Sequence, residues 1–399
     1  MRILFAASHP NLSNGYARVG YEITRFLGQD MHDVLYYAFQ GEHTELSRPM
    51  HSRVHVHVGR SQDPFGVDQF VQVLKEWCPD VVIIYNDIIV ISRFFNALSE
   101  AHDLRRTFKL IAYLDLVYEY EHPYLVQHVY AHADQVWVFA DFWKRHLEND
   151  MHMDTTKTHT VHHGVWDLPS LPDKPNARVA CGIRPDDFVV LNCNRNSYRK
   201  ALDITVRSFL LFWKKQECAK HIKLHLHTQV FAQGSRHGYD IVSLVHVEAL
   251  YVGVDPKAAA MQVITTSGRL ADDDFLNVIS ACDVGINTCM GEGFGLCALE
   301  GIACERYQLV SAVGGHFDVF ADLPECMVTP TALLNISNDI DAHGGFLRIC
   351  DAADFAAKID EVYTTRPQMH GTARIKERFG WKGIFSKISG LLSTLTSMQ

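Results

Sequence analysis

The sequence predicts an α/β protein built from two parallel-sheet units, and three observations carry that prediction. Short, nearly continuous apolar runs alternate with helix-period segments along most of the chain, the pattern of parallel strands covered on both faces. At 399 residues the chain exceeds what one core usually serves, and two domains of about 150–200 residues each is the natural division. The alternation breaks once, at WDLPSLPDKPNARVACGIRPDD (166–187), whose prolines and weak periodicity suit a linker.

RILFAAS (2–8) reads as the first buried strand and ARVGYEITRFLGQ (17–29) as the helix after it. VLYYAF (34–39), DVVIIYN (80–86), KLIAYLD (109–115) and QVWVFA (135–140) continue the first sheet. After the break come the strand FVVLNCN (188–194), the helix ALDITVRSFLLFWKK (201–215) and the strands IKLHLHT (222–228) and MQVITT (261–266). The helix DDDFLNVISAC (272–282) and the strands VGINT (284–288) and YQLVSAVGG (307–315) follow. The stretch 229–262 reads as a helix within an elaborated connection and receives no role. WKGIFSKISGLLSTL (381–395) is an amphipathic helix able to pack on either unit and expected on the first. The expected divisions are 1–170, 171–377 and a terminal helix at 378–399. Ligands of such sheets lie beyond the carboxyl ends of the strands, which for two units points to the cleft between them.

Composition narrows the function. Hydrophobic residues at 47% and charged residues at 21% describe an ordinary globular chain. The net charge is −9 and no Lys/Arg block stands out, which argues against a nucleic-acid partner. Ten cysteines occur without a C-x-x-C pair, so reduced thiols in a cytosol are expected rather than disulfides or a zinc site. MRILFAASHP is too short an apolar run for a signal peptide, and none approaches the ~20 residues of a membrane span. A cytoplasmic location is expected.

Two stretches carry chemistry. GEGFGLCALEG (291–301) follows a strand and opens a helix. A helix N-terminus offers unpaired N–H groups and a partial positive charge, which favour a phosphate or another oxygen-rich ligand. Gly291, Gly293 and Gly295 let the backbone approach that ligand closely. Glu292 lies in the turn and Glu300 on the second helical turn. On one continuous helix, eight positions rotate by about 800° and the two acids would not share a face; with Glu292 in the turn, both can point at one ligand. LNCNRNSYRKALD (191–203) also follows a strand and sets Arg195, Arg199 and Lys200 at its carboxyl end. Arg binds phosphate as a fork and Lys as a point charge, so together they suit a diphosphate without a metal. Taken alone, the stretch reads equally as an exposed basic loop.

R-x4-K after a strand, then GEGFGLxxxE, then SAVGG (311–315), resembles the retaining glycosyltransferases of family 4, two-domain proteins of the GT-B fold with two Rossmann-like domains facing each other across a cleft. The matching motifs span about 190–320. IYNDIIVI (84–91) and YLDLV (113–117) most resemble such enzymes carried by large DNA viruses, which would make the location a host cytoplasm. The resemblance implies transfer of a sugar from a UDP- or GDP-type nucleotide sugar to a glycan, glycoconjugate or other hydroxyl acceptor, with no cofactor and no metal. It implies that Arg195 and Lys200 grip the donor diphosphate. Glu292 and the amides of Gly293, Phe294, Gly295 and Leu296 would hold the sugar and phosphate, and Glu300 would bond the ribose hydroxyls. In this family the departing phosphate helps deprotonate the acceptor, so no protein base is compulsory.

The departures fall mainly in the first unit. Family members carry a Gly-Gly loop after the first strand; here it is SNGY, with only Asn14 and Gly15 matching on the donor side. The family's His at the end of a middle strand falls on Leu114, with Asp115 beside it as the substitute on the acceptor side. The Arg-to-Lys gap is one residue shorter than is common. Two further readings therefore stand beside transfer: a GT-B nucleotide-sugar epimerase and a non-catalytic binder of nucleotide sugars or glycans. His55, His57, His225 and His227 alternate on strands and read as structural among 23 histidines. His162 and His163 fall near the hinge, and Cys297 reads as packing within its helix. No G-x-G-x-x-G follows the first strand, which disfavours an NAD enzyme. The oligomeric state is not legible.

Overall fold

Parallel pairing of seven strands makes the first sheet: β1 (Arg2–Ser8), β2 (Asp33–Phe39), β3 (Val54–Val58), β4 (Val81–Asp87), β5 (Lys109–Asp115), β6 (Gln135–Val138) and β7 (Thr158–Thr160), in the order 3-2-1-4-5-6-7. The computed structural model describes all residues except 42–44, 60–61, 166–171, 232–237, 337–342 and 398–399. β1 and β4 lie at the centre and are apolar on both faces, with Ile3 to Ala7 and Val81 to Tyr85 fully buried. Helix α1 (Gly15–Gln29) follows β1 and lays Val19, Ile23 and Leu27 on the sheet. This unit comprises Met1–Gly164 with Asn335–Phe346 and Trp381–Gln399.

Six parallel strands make the second sheet: β8 (Phe188–Asn192), β9 (Ile222–His227), β10 (Val263–Thr266), β11 (Val284–Asn287), β12 (Tyr307–Ser311) and β13 (Met327–Val328), in the order 10-9-8-11-12-13. Helix α2 (Leu202–Lys215) follows β8 and buries Leu202, Val206, Phe209, Leu210 and Trp213. Helix α3 (Leu296–Ala303) follows β11. This unit comprises Val165–Leu334 and Leu347–Gly380. Both sheets have the parallel order of Rossmann-like units, whose order reverses at a switch point beside the first strand.

The predicted strands and helices form with ends shifted by a residue or two, except that the strand expected over 307–315 ends at Ser311, where Gly314 with φ +48° turns the chain out of the sheet. Part of the stretch read as a linker is helical, because Asp173 caps Lys174–Ala180 by accepting from the Asn176 N–H and Pro175 suits the first turn; 166–171 lie outside the described residues. Two helices, Ile241–Val252 and Pro256–Ala260, occupy the stretch where one was expected. The terminal helix α4 (Trp381–Ser397) belongs to the first unit, where Phe385 stacks on Phe26 of α1 at 4.1 Å between ring centroids.

Candidate functional site

The basic loop after β8 is built by its asparagines. Asn192 Oδ1 accepts from the Asn194 N–H at 2.8 Å, and Asn192 Nδ2 donates to Thr205 Oγ1 at 2.8 Å. Asn196 Nδ2 donates to the carbonyls of Gln229 and Tyr239, and its Oδ1 accepts from the Tyr239 N–H. Buried amides answered on both sides make a rigid frame. The frame ends at Ala201, whose φ of +47° is left-handed, and Thr288 Oγ1 holds that turn by donating to the Ala201 carbonyl at 2.8 Å. Lys200 is thereby fixed just before the first turn of α2.

The segment 290–295 meets this loop at Lys200 and Arg199. Lys200 Nζ pairs with Glu292 Oε2, each side chain 12% exposed. Arg199 donates to the Gly291 carbonyl, and the Met290 N–H donates to the Arg199 carbonyl at 2.8 Å. Burial pushes the Glu292 carboxyl up, but the Lys200 and Arg199 charges outweigh it and hold the group down to about 2. A depressed carboxylate contributes stability above its ordinary value of 4.5, lost as pH falls toward about 2. The Glu292 carboxylate is therefore ionised throughout the neutral range.

Gly295 caps α3 with φ +98°, and an added Cβ would lie 2.5 Å from His316 Cδ2. The Gly315 N–H donates to the Glu292 carbonyl at 2.9 Å, and a side chain on Gly315 would collide with the backbone of Gly293 and Phe294. SAVGG is thus the seat of the GEGFG turn. Phe294 anchors the turn from below, buried and edge-on to Phe379 at 5.5 Å. Leu296 begins α3, and Glu300 is buried one turn further on. Burial and then the Glu300 carboxylate push the Cys304 thiol up to about 12, which places Glu300 beside it. Cys297 reaches outside its helix, its Sγ 3.5 Å from the Cys193 carbonyl. Arg195 is exposed and has no hydrogen bond or ion pair with the described residues.

Sequence reasoning passed over His316. Its Nδ1–H donates to the Ser311 carbonyl at 2.9 Å, and Asn287 Nδ2 lies 3.3 Å from its Nε2. Burial lowers its basicity despite the nearby Glu292, so the ring is neutral. Its signal was its place directly after SAVGG. The three asparagines had one too, the alternation N-x-N-x-N at a strand end.

In the first unit, Asp87 and Asp115 stand opposite each other at the ends of β4 and β5. Asp87 Oδ1 caps the next helix by accepting from the Val90 N–H, whereas Tyr16 Oη donates to Asp115 Oδ2 at 2.5 Å. Burial first, and then the Asp115 charge, push the Tyr16 phenol up, so it stays a donor. Leu114 is fully buried within its strand, and the acid at 115 is the side chain that meets Tyr16 at the edge. Asn14 Oδ1 caps α1 by accepting from the Ala17 N–H at 2.8 Å, with Gly15 the first helical residue. Tyr16→Phe is expected to lower stability by about 1.5–3 kcal/mol in denaturant unfolding, the worth of a hydrogen bond to a charged group.

The histidines read as structural take such places. His225 and His227 both contact Thr266 Oγ1 at 2.9 Å, and burial lowers His225 to about 4. His57 stacks on Tyr37. His163, outside that set, lies 3.2 Å from Tyr85 Oη.

No family model matches the chain, and no curated protein matches its sequence. Solved structures do. Sucrose-phosphate synthase from Thermosynechococcus elongatus is similar over 100% of both chains, with 16% identity and a TM-score of 0.75. Anabaena HepE, solved in complex with UDP and glucose, is similar over 99% of this chain and 100% of its own, at 18% identity and a TM-score of 0.72. The lipopolysaccharide outer core galactosyltransferase WaaB is similar over 99% of each chain, at 14% and 0.64. At such identities the likeness establishes the fold. Two Rossmann-like α/β units of seven and six parallel strands define it as GT-B.

Proposed function

We propose that this chain is a retaining, metal-independent glycosyltransferase of the family 4 type, of the kind large DNA viruses carry. It would move a sugar from a UDP- or GDP-type donor to a glycan or other hydroxyl acceptor. The observation that carries the reading is the meeting of Lys200, Arg199 and Glu292 with the glycine-opened N-terminus of α3, at the carboxyl edge of the second sheet. Departure of the leaving group puts negative charge on the nucleoside diphosphate, and fixed cations and helix amides stabilise that charge where it develops. Lys200 is assigned the diphosphate together with Arg195, Glu292 and the amides of Gly293 to Leu296 the sugar and phosphate, and Glu300 the ribose. Asn14 and Gly15 are assigned to the donor side and Asp115 to the acceptor side. The solved complex of HepE with UDP and glucose supports UDP as the first donor to test.

The direct experiment is turnover with UDP- and GDP-sugars across an acceptor panel, in the presence of chelator. Transfer with retention supports the reading; conversion of the donor without acceptor, or binding without turnover under every condition, refutes it. Arg195→Ala is expected to leave the unfolding midpoint unchanged, since the side chain is exposed, and to weaken UDP-sugar binding by about 1.5–3 kcal/mol, read by calorimetry.

A further inference from the structure

Beside the Lys200–Glu292 pair stand two groups that the donor reading leaves unused. Cys289, Glu292 and His316 are brought together from the exit of β11, the GEGFG turn and the residue after SAVGG. One ligand atom from each lies within 4.8 Å of the other two. The Cys289 N–H donates to Asn287 Oδ1 at 3.2 Å, which fixes the thiol's backbone. His316 is oriented independently. Its Nδ1–H is spent on the Ser311 carbonyl, leaving the Nε2 lone pair on the side of the turn. That contact is the one that usually sets the tautomer of a metal-binding imidazole. Gly295 keeps the space beside Nε2 open, because a Cβ there would lie 2.8 Å from the nitrogen. The long 3.3 Å contact from Asn287 is the only hydrogen bond recorded at Nε2 among the described residues.

Sulfur, imidazole nitrogen and carboxylate oxygen at this spacing suit a tetrahedral Zn²⁺-type ion with one position left for water. Mg²⁺ prefers oxygen ligands and keeps most of its waters, so it does not fit. We propose that Cys289, Glu292 and His316 form an inhibitory site for a thiophilic divalent cation, which takes Glu292 from Lys200 and from the donor sugar. Binding releases the Cys289 thiol proton to solvent and changes no oxidation state. The cation competes with the donor and takes no part in transfer. The ligand set stands on geometry alone; the competition rests on the donor reading.

The test titrates Co²⁺ into the chelator-treated full chain and follows the sulfur-to-metal charge-transfer absorption. The band is expected in the unaltered protein and in Cys297→Ser, absent in Cys289→Ser and in Cys289→Ala, and weakened by about tenfold in affinity in His316→Ala. No band, or a band that survives both Cys289 variants, overturns the site. UDP-glucose binding is then measured by calorimetry with and without Zn²⁺. Zn²⁺ is expected to weaken it by about tenfold or more in the unaltered protein and not in Cys289→Ser. Equal effects in both proteins overturn the competition. Failure of any nucleotide sugar to bind the metal-free chain would instead refute the donor reading, and the cobalt result would still decide the site.

Discussion

Gly295→Ala is expected to destabilise the second unit by about 2–5 kcal/mol and to abolish sugar transfer. Two independent costs add. A φ of +98° is strained for any residue with a Cβ, at about 1–2 kcal/mol. The new methyl would also meet His316 Cδ2 at 2.5 Å, an overpacking cost of about 1–3 kcal/mol. The two separate experimentally, because His316→Ala removes the collision and leaves the dihedral. In that background Gly295→Ala is expected to cost only the backbone term, measured by denaturant unfolding. Gly383→Ala on α4 is the control. Nothing lies within 4 Å of a Cβ there, and replacing a helical glycine should stabilise by about 0.5–1 kcal/mol. If Gly295→Ala matched Gly383→Ala, the account of the turn would be wrong.

The contrast between those glycines shows how far the sequence could be read. Apolar runs such as Val81 to Tyr85 announce buried parallel strands because every position is apolar, whichever way it points. The turn 291–295 was legible for the same kind of reason, since glycines between a strand and a helix-forming run have few other uses. What held the turn was not. His316 contacts it across 21 positions of chain, and a single histidine carries no periodicity. Thr288, which supports Ala201, sits in an ordinary strand exit. Asp115 could be placed at a strand end, but Tyr16, its partner, lies 99 residues away. Local pattern reports the backbone of a site; pairings across the chain depend on which loops the sheet order brings side by side. The order 10-9-8-11-12-13 sets β8 beside β11, which is why the two motifs meet.

Lys200→Ala tests that meeting most severely. Removing the ammonium leaves the Glu292 carboxylate buried with Arg199 as its remaining cation, and breaking a buried pair from one side costs about 3–5 kcal/mol. Transfer should be lost as well. Those two losses need not share a cause, and a double variant separates them. Lys200→Met with Glu292→Gln replaces the pair by neutral groups of similar volume, which is often tolerated within about 1–2 kcal/mol. Stability should therefore return while donor binding and turnover stay absent; recovered transfer would show that neither charge serves the reaction. Acid gives a second reading of the same pair. In the unaltered protein Glu292 is depressed to about 2, so its contribution is complete above 4.5 and declines as pH falls below it. In Lys200→Ala burial acts against one cation fewer, the carboxyl rises, and its protonation on acidification relieves the penalty. The stability gap between the two proteins should accordingly narrow from pH 4.5 toward about 2, as followed by urea unfolding at each pH. A gap that stayed constant across that window would mean that Lys200 supports the turn by packing rather than by charge.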